Sequence, residues 1–433
     1  RGRRGECQPG AGVSGSPGLR GDGHRLRCFD GNGAGGVYLV TKDSFLGAFT
    51  VTMLKAFYSV QDFRRGAGRR MPRMIFDALD GAAGSEQASR LNMAALESIR
   101  LQSRILVNVE HRELSTTFLD RQWDVPFGIA PMGMCNLFWP GADAALASVS
   151  RQKNMPLAVS TMASSSLESI SERTGGNAWF QLYAGESDEL TQTLVERANE
   201  AGYQTLILTA DVPVLAPRLR DLANGFQIPF TMGPRQVADF ARHPRWVLNT
   251  LLNGTPKPVN VGSPEGGERS SEGSTGFRRE AGRGHIDWRF LSQLRSMWAH
   301  KLVVKGVMSP TDAKMAVDAG VDAVYVSNHG GRQLDAAPGA IQMLPLIRQA
   351  VGPDYPLLFD SGIRSGEGIA KALVSGANFV MLGRPFLYAL GANGPDGLRH
   401  LLDMLANELS IVMAQLGCND VTQLNRSMLV TDL

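Results

Sequence analysis

The sequence predicts an α/β protein: a (β/α)8 TIM barrel with a long insertion after the fourth strand and a disordered N-terminal extension. Three observations predict it. Short apolar runs recur from Val125 onward, and their near-continuous apolarity suits strands covered on both faces. Segments with helix start and stop signals separate the runs. Polar residues collect at the ends of the runs, where the loops of such a barrel build a site. A doubly wound open sheet is the rival, because sequence does not show whether a sheet closes.

The chain has 433 residues, enough for one large barrel or two ordinary domains. Residues 1–52 are read as the extension. From RGRRGECQPGAGVSG to DGNGAGG they are rich in glycine and arginine and lack apolar periodicity, so they bury too little surface to offset ordering entropy. They carry no secretory cleavage pattern. Met53 offers an alternative start, on which reading the upstream residues are not native; the barrel domain is then 53–433.

VPFGIAP (125–131), PLAVST (156–161), AWFQLY (178–183) and TLILTAD (205–211) are the first four strands. KLVVKGV (301–307), AVYVSNH (323–329), PLLFDSG (356–362) and FVMLGRP (379–385) are the second four. Between them, ELTQTLVERANEAG places Leu190, Leu194 and Ala198 on one helical face and stops at Gly202. In SPTDAKMAVDAG, Ser309 caps, Pro310 fits the first turn, Asp312 favours the positive end and Gly320 terminates. The connection after the fourth strand is abnormally long. Residues 222–285 form an insertion whose low-complexity middle, VNVGSPEGGERSSEGSTGFRREAGRG, is expected to be mobile. Residues 236–253 mix arginines with Trp246, Leu248, Leu251 and Leu252, which suits either a helix over the barrel mouth or a membrane-surface helix.

Composition excludes several classes. A net charge of +3 does not point to nucleic acid, and four scattered cysteines show neither metal-like nor redox-like spacing, as in a reducing compartment. No metal site is expected. No apolar stretch is long enough to span a bilayer.

The strand ends carry Ser160, Gln181 with Tyr183, Thr209 with Asp211, Lys305, Ser327 with His329, Asp360, and Gly383 with Arg384. One histidine at a strand end is commonly structural. A histidine sharing a rim with a lysine, an acid, a tyrosine and arginines is hard to explain as scaffold. The last two units suit an anion. DSGIRSGEG turns through glycines into a helix beginning near Gly368, LGRP follows the final strand, and Arg364 and Arg384 supply charge.

WFQLY, LTAD, VVKGV, SNHGGRQLD, DSGIRSG and LGRP together resemble the FMN-dependent 2-hydroxy-acid oxidising family, which includes glycolate oxidase, L-lactate dehydrogenase and mandelate dehydrogenase. HPRW and NLFWPGAD look most like the mandelate dehydrogenase branch. The resemblance implies FMN as cofactor and His329 as the base. It implies Arg332 and Arg218 as carboxylate partners, Asp211 as the acid paired with the histidine, and Tyr183 as a hydrogen-bonding partner of substrate. Flavin contacts would come from Ala130, Pro131, Met132, Ser160, Gln181, Thr209, Lys305 and Ser327. The phosphate would be held by Asp360, Ser361, Gly362, Ile363, Arg364, Gly383 and Arg384. Lys305 would also stabilise negative charge on the reduced ring.

The resemblance further implies a quinone, a cytochrome or oxygen as electron acceptor, a homotetramer, and a cytoplasmic protein with peripheral contact at the inner face of the plasma membrane. Two residues depart from the family. Ala78 stands where relatives have a tyrosine that touches the substrate carboxylate, and Met132 where they have a smaller residue. These departures keep open a flavin-binding barrel with lost or altered turnover. An FMN-dependent isomerase is the other alternative, though a histidine–arginine pair suits a carboxylate better than a diphosphate.

Overall fold

The computed structural model describes residues 57–185, 187–226, 233–254, 256–261 and 284–430. The extension 1–52 and most of the low-complexity stretch of the insertion lie outside the described residues.

Three helices open the described chain: α1 (Val60–Arg70), α2 (Arg73–Asp80) and α3 (Gln87–Ser98). A short antiparallel hairpin follows, β1 (Thr116–Phe118) with β2 (Arg121–Trp123). Then come the eight parallel strands: β3 (Phe127–Met132), β4 (Leu157–Ser160), β5 (Ala178–Leu182), β6 (Thr205–Thr209), β7 (Lys301–Val307), β8 (Ala323–Val326), β9 (Leu357–Phe359) and β10 (Phe379–Leu382). β10 pairs with β9 on one side and with β3 on the other, Val380 opposite Phe127, so the sheet is a closed barrel and not an open one.

Each strand falls within the run that predicted it, except that β3 runs one residue further, to Met132. Every residue of β4, β5, β6, β8, β9 and β10 is buried, which is why the runs are apolar without alternation.

Outer helices alternate with the strands. They are α4 (Ala142–Gln152), α5 (Leu167–Thr174) and α6 (Asp188–Glu200) in the first half. After β6 the insertion contributes α7 (Leu219–Asn224), α8 (Pro234–Ala241) and α9 (Pro244–Asn253). The second half adds α10 (Trp288–Met297), α11 (Pro310–Asp318), α12 (Ala340–Val351), α13 (Gly366–Val374) and α14 (Arg384–Leu416). Serine caps form at helix starts, at the expected Ser309 and also at Ser187, for which no cap was expected. Ser309 Oγ accepts from Asp312 N at 3.2 Å, and Ser187 Oγ from Leu190 N at 3.3 Å.

Two expected boundaries move. The expected helical stretch 236–253 is two helices, because Pro244 lacks an N–H and starts a new first turn after His243. Trp246 is buried, its Nε1 donating to Leu137 O at 3.3 Å, while Leu248, Leu251 and Leu252 remain 58%, 73% and 82% exposed. The helix expected near Gly368 begins at Gly366, since Ser365 caps it by accepting from Gly368 N at 3.0 Å.

Candidate functional site

The C-terminal strand ends gather most of the expected site residues on one rim. After β8 the backbone turns through three successive left-handed residues, His329 (φ 57°), Gly330 (63°) and Gly331 (77°). An imidazole-bearing residue is strained there. Side chains over-determine the turn. Ser327 Oγ accepts from His329 N at 3.0 Å, Ser361 Oγ from Gly330 N at 3.1 Å, and Asn328 Oδ1 from Gly331 N at 3.1 Å. Asn328 is itself locked by reciprocal amide bonds of 2.8 Å with Asn92 of α3. Gly331 is obligatory for a second reason: an added Cβ would lie 2.5 Å from Ser89 N.

His329 Nδ1 lies 3.0 Å from Asp211 Oδ1, which assigns the ring proton to Nδ1 and leaves Nε2 as an acceptor, 3.4 Å from Tyr183 Oη. Gly306 makes this approach possible. It sits at φ 104° beside a register shift in β7, and a Cβ there would be 2.4 Å from Asp211 Cβ. Burial alone would raise the Asp211 carboxyl, but His329 and Lys305 hold it below its ordinary value. Burial pushes the His329 imidazole below 6.5, and Lys305 adds to that against the opposing pull of Asp211. Burial would lower Lys305, yet Asp360 and Asp211 keep its ammonium above the usual range. Its Nζ donates to Ser327 Oγ at 2.8 Å and lies 3.5 Å from Asp360 Oδ2.

Arg332 and Arg384 both reach the C-terminal end of α2, where carbonyls suit cations. Arg332 donates to Ala78 O at 3.0 Å, Leu79 O at 3.2 Å and Gly81 O at 2.7 Å. Arg384 donates to Leu79 O at 3.3 Å, Gly81 O at 2.9 Å and Gly330 O at 2.9 Å. Burial first, then the neighbouring Arg218 and Arg384, press the Arg332 guanidinium well below its ordinary value. Such a crowd of positive groups calls for an anion. Ala78 therefore meets Arg332 through its carbonyl, where the expected tyrosine would add a hydroxyl.

The residues fit a flavin on two counts. Gln181 Nε2 and Thr209 Oγ1, on adjacent strands, are buried with no hydrogen-bond partner among the described residues, an arrangement that a polar ring edge would satisfy. The turn after β9 is a cradle: Ser361 (φ 88°) and Gly362 (φ 94°) bring the main chain close, and a Cβ at Gly362 would lie 2.9 Å from Asn92 O. Arg364 and the start of α14 at Gly383 and Arg384 complete it.

Several expected contacts change character. The first turn of α13 is spoken for, Gly366 N donating to Glu408 Oε2 at 2.7 Å and Gly368 N to Ser365, so the anion cradle rests on the turn and on α14. Ile363 is buried in the core and offers main chain alone, as do Ala130 and Pro131 at the end of β3. Ser160 Oγ already accepts from Met162 N at 3.1 Å. Met132 lies close to Gly383, its Sδ 3.5 Å from a Cβ built there, so the larger side chain enters the cradle wall.

Sequence reasoning passed over Asn92, Asn328, Gln333 and Asp335. Gln333 Nε2 donates to Asp211 O at 2.9 Å and Val214 O at 3.0 Å, and Asp335 accepts from Ser85 N at 2.7 Å and Ala88 N at 3.2 Å to cap α3. Three of the four stand in or beside the SNHGGRQLD block and were findable there; Asn92 carries no local signal.

A barrel with this rim defines a flavin-dependent oxidoreductase. The chain belongs to the FMN-dependent dehydrogenase family, whose model matches residues 67–431. It is 36% identical over 373 residues to (S)-mandelate dehydrogenase of Pseudomonas putida, covering 86% of this chain and 94% of that protein. It is also 36% identical over 376 residues to L-lactate dehydrogenase of Xanthobacter autotrophicus, covering 87% of this chain and 97% of that one. A crystal structure of the monotopic membrane protein (S)-mandelate dehydrogenase superposes with a TM-score of 0.81 at 36% identity, covering 87% of this chain and all of that one. The protein is an FMN-dependent 2-hydroxy-acid oxidoreductase. Among the described residues there is no cluster of His, Cys, Asp and Glu able to hold a metal, and no helix long and apolar enough to cross a membrane.

Proposed function

We propose that the protein oxidises an (S)-2-hydroxy acid of the lactate or mandelate type to the 2-oxo acid and passes the electrons to a quinone- or cytochrome-type acceptor or to oxygen. The observation that carries this reading is the pairing of an acceptor nitrogen, His329 Nε2, with guanidinium groups suited to a carboxylate. Arg332 and Arg218 hold and orient the substrate carboxylate. Tyr183 Oη, 3.4 Å from Nε2, steadies the substrate oxygen at the base. His329 takes the proton at Nε2, and Asp211 at Nδ1 stabilises the imidazolium that results. Lys305, held by Ser327 and Asp360, offers a fixed positive charge beside the ring. Bound FMN supplies the two-electron acceptor that no side chain provides. Gln181, Thr209 and the cradle from Asp360 to Arg364 with Gly383 and Arg384 position it.

We also propose that α9 lies against a membrane surface, with Leu248, Leu251 and Leu252 toward the lipid and Trp246 anchoring the helix to the barrel. A membrane-borne acceptor would then be close at hand.

The test is a panel of (S)- and (R)-lactate, glycolate, mandelate and longer aliphatic 2-hydroxy acids, scored without air by loss of the yellow flavin colour. Bleaching by at least one (S) acid, and by no (R) acid, is expected. A protein that holds FMN but keeps its colour with every acid would end this reading.

A further inference from the structure

The chemistry proposed above gives Arg218 a role but does not explain what holds it. The residue ends the loop after β6 and caps α7, a helix of six residues, too short to persist by itself. Ala83 N donates to Gly331 O at 2.9 Å while the next residue, Gly84, bridges to Arg218, so the Arg332 and Arg218 segments flank one stretch of chain and the two cations repel. The ion pair of Arg218 itself, Nη1 to Asp221 Oδ2 at 3.9 Å, lies within α7, so it fixes the guanidinium only as far as that short helix is itself held in place.

Arg220, in the first turn of α7, holds the helix. Its Nε and Nη2 form a bidentate pair with Glu86, at 2.6 and 3.0 Å, and its Nη1 donates to Asp77 Oδ1 and Asp80 Oδ2, each at 3.0 Å. All three guanidinium nitrogens are thus engaged. The acceptors are in turn fixed. Arg64 grips Asp80 through two bonds of 2.5 and 2.7 Å, and Tyr388 Oη donates to the same carboxylate at 2.7 Å. At the other end of α7, Asn224 Nδ2 donates to Asp77 Oδ2 at 2.6 Å. Just ahead of α7, Gly84 N donates to Pro217 O at 2.9 Å, and Gly84 bridges to Arg218. The C-terminal end of α2 therefore anchors Arg332 through carbonyls and the Arg218 segment through carboxylates.

We propose that Arg220 is a positioning residue: by clasping Glu86, Asp77 and Asp80 it holds Arg218 near Arg332 against their mutual repulsion, and so sets affinity for the substrate carboxylate without touching it. This rests on the reading of Arg218 as a carboxylate partner. A carboxylate is bound before and during the reaction alike, so losing the clasp should act on KM and spare kcat.

The experiment measures kcat and KM of the FMN-loaded full chain, with an acid that bleaches the flavin, for Arg220→Gln, Arg220→Lys, Glu86→Gln, Arg218→Lys and the combinations of Arg218→Lys with the first and third. Arg220→Gln should raise KM roughly ten-fold with kcat within about three-fold, and Glu86→Gln should raise it about two- to three-fold. Arg220→Lys, which keeps the charge but loses the fork, should fall between Arg220→Gln and the parent. In the Arg218→Lys background the same changes should add less than about two-fold, because the clasp then has nothing to position. Unchanged KM, or increases that multiply in full in that background, would overturn the clasp. Should Arg220→Gln fail to fold, the Glu86 pair decides the question. If Arg218→Lys alone leaves KM unchanged, it is the carboxylate role of Arg218 that fails, a different result from failure of the clasp.

Discussion

The two ends of the barrel differ in almost every physical respect. At the N-terminal end the β1–β2 hairpin inserts Phe118 and Trp123 beneath the strands. Phe118 stacks on Phe379 with centroids 5.2 Å apart, and Trp123 meets Trp179 edge-on at 5.9 Å. That end is aromatic and buried, and the indole of Trp123 donates from Nε1 to Phe118 O at 3.2 Å. The C-terminal end holds strained left-handed residues, orphaned donors and crowded cations. Stability is concentrated below so that unfavourable arrangements can be held above, and a strained histidine is affordable only on so rigid a base.

The sharpest way to test that division is His329→Asn. The substitution removes the base and should slow anaerobic flavin reduction by about 10²–10⁴-fold. Asparagine tolerates φ 57° better than histidine, so the melting temperature should hold or rise slightly. A large loss of stability would show that the upper rim also carries the fold. Trp179→Ala at the other end should do the reverse. It should cost about 3–5 kcal/mol in denaturant unfolding, with the acid limb of the rate profile unmoved. A third substitution strikes the upper rim from within the barrel wall. Gly306→Ala drives a methyl into Asp211 from within β7 and should lower kcat roughly ten- to a hundred-fold, with a modest loss of stability. The smallest effect is on pH dependence. Burial, with Lys305, depresses His329, so the proton-free base survives further into acid. kcat/KM should rise with pH along an acid limb whose midpoint lies below the ordinary 6.5 of an imidazole; a midpoint above that value would contradict the assigned surroundings of the ring.

The same contrast explains what the sequence could reveal. Strands buried on both faces leave uninterrupted apolar runs, so all eight were legible, and serine caps such as Ser309 announce themselves three residues ahead of their partners. The polar strand ends were legible as a set for the same reason. Pairings between distant residues were not. Arg220 with Glu86 and Asp77, or Asn92 with Asn328, join positions more than a hundred residues apart, and nothing near either partner marks it. The hairpin strands, three residues each, are too short to carry a period. The start of α13 was misplaced because glycines at Gly366 and Gly368 read as a turn. Gly366 is a glycine because α14 packs against the helix: a Cβ there would sit 2.3 Å from Leu409 N. The break before α9 is legible in Pro244, which lacks the N–H needed to continue a helix.

Closure of the barrel sets a timetable for biosynthesis. β3 has no partner on one edge until β10 arrives, and the guanidinium of Arg384 follows directly on that last strand. A nascent chain therefore remains an open ribbon, unable to retain its yellow cofactor, until nearly all of it has been translated. Ribosome-bound fragments ending before Phe379 should emerge colourless, and coloration should appear abruptly as a late event rather than accumulate unit by unit.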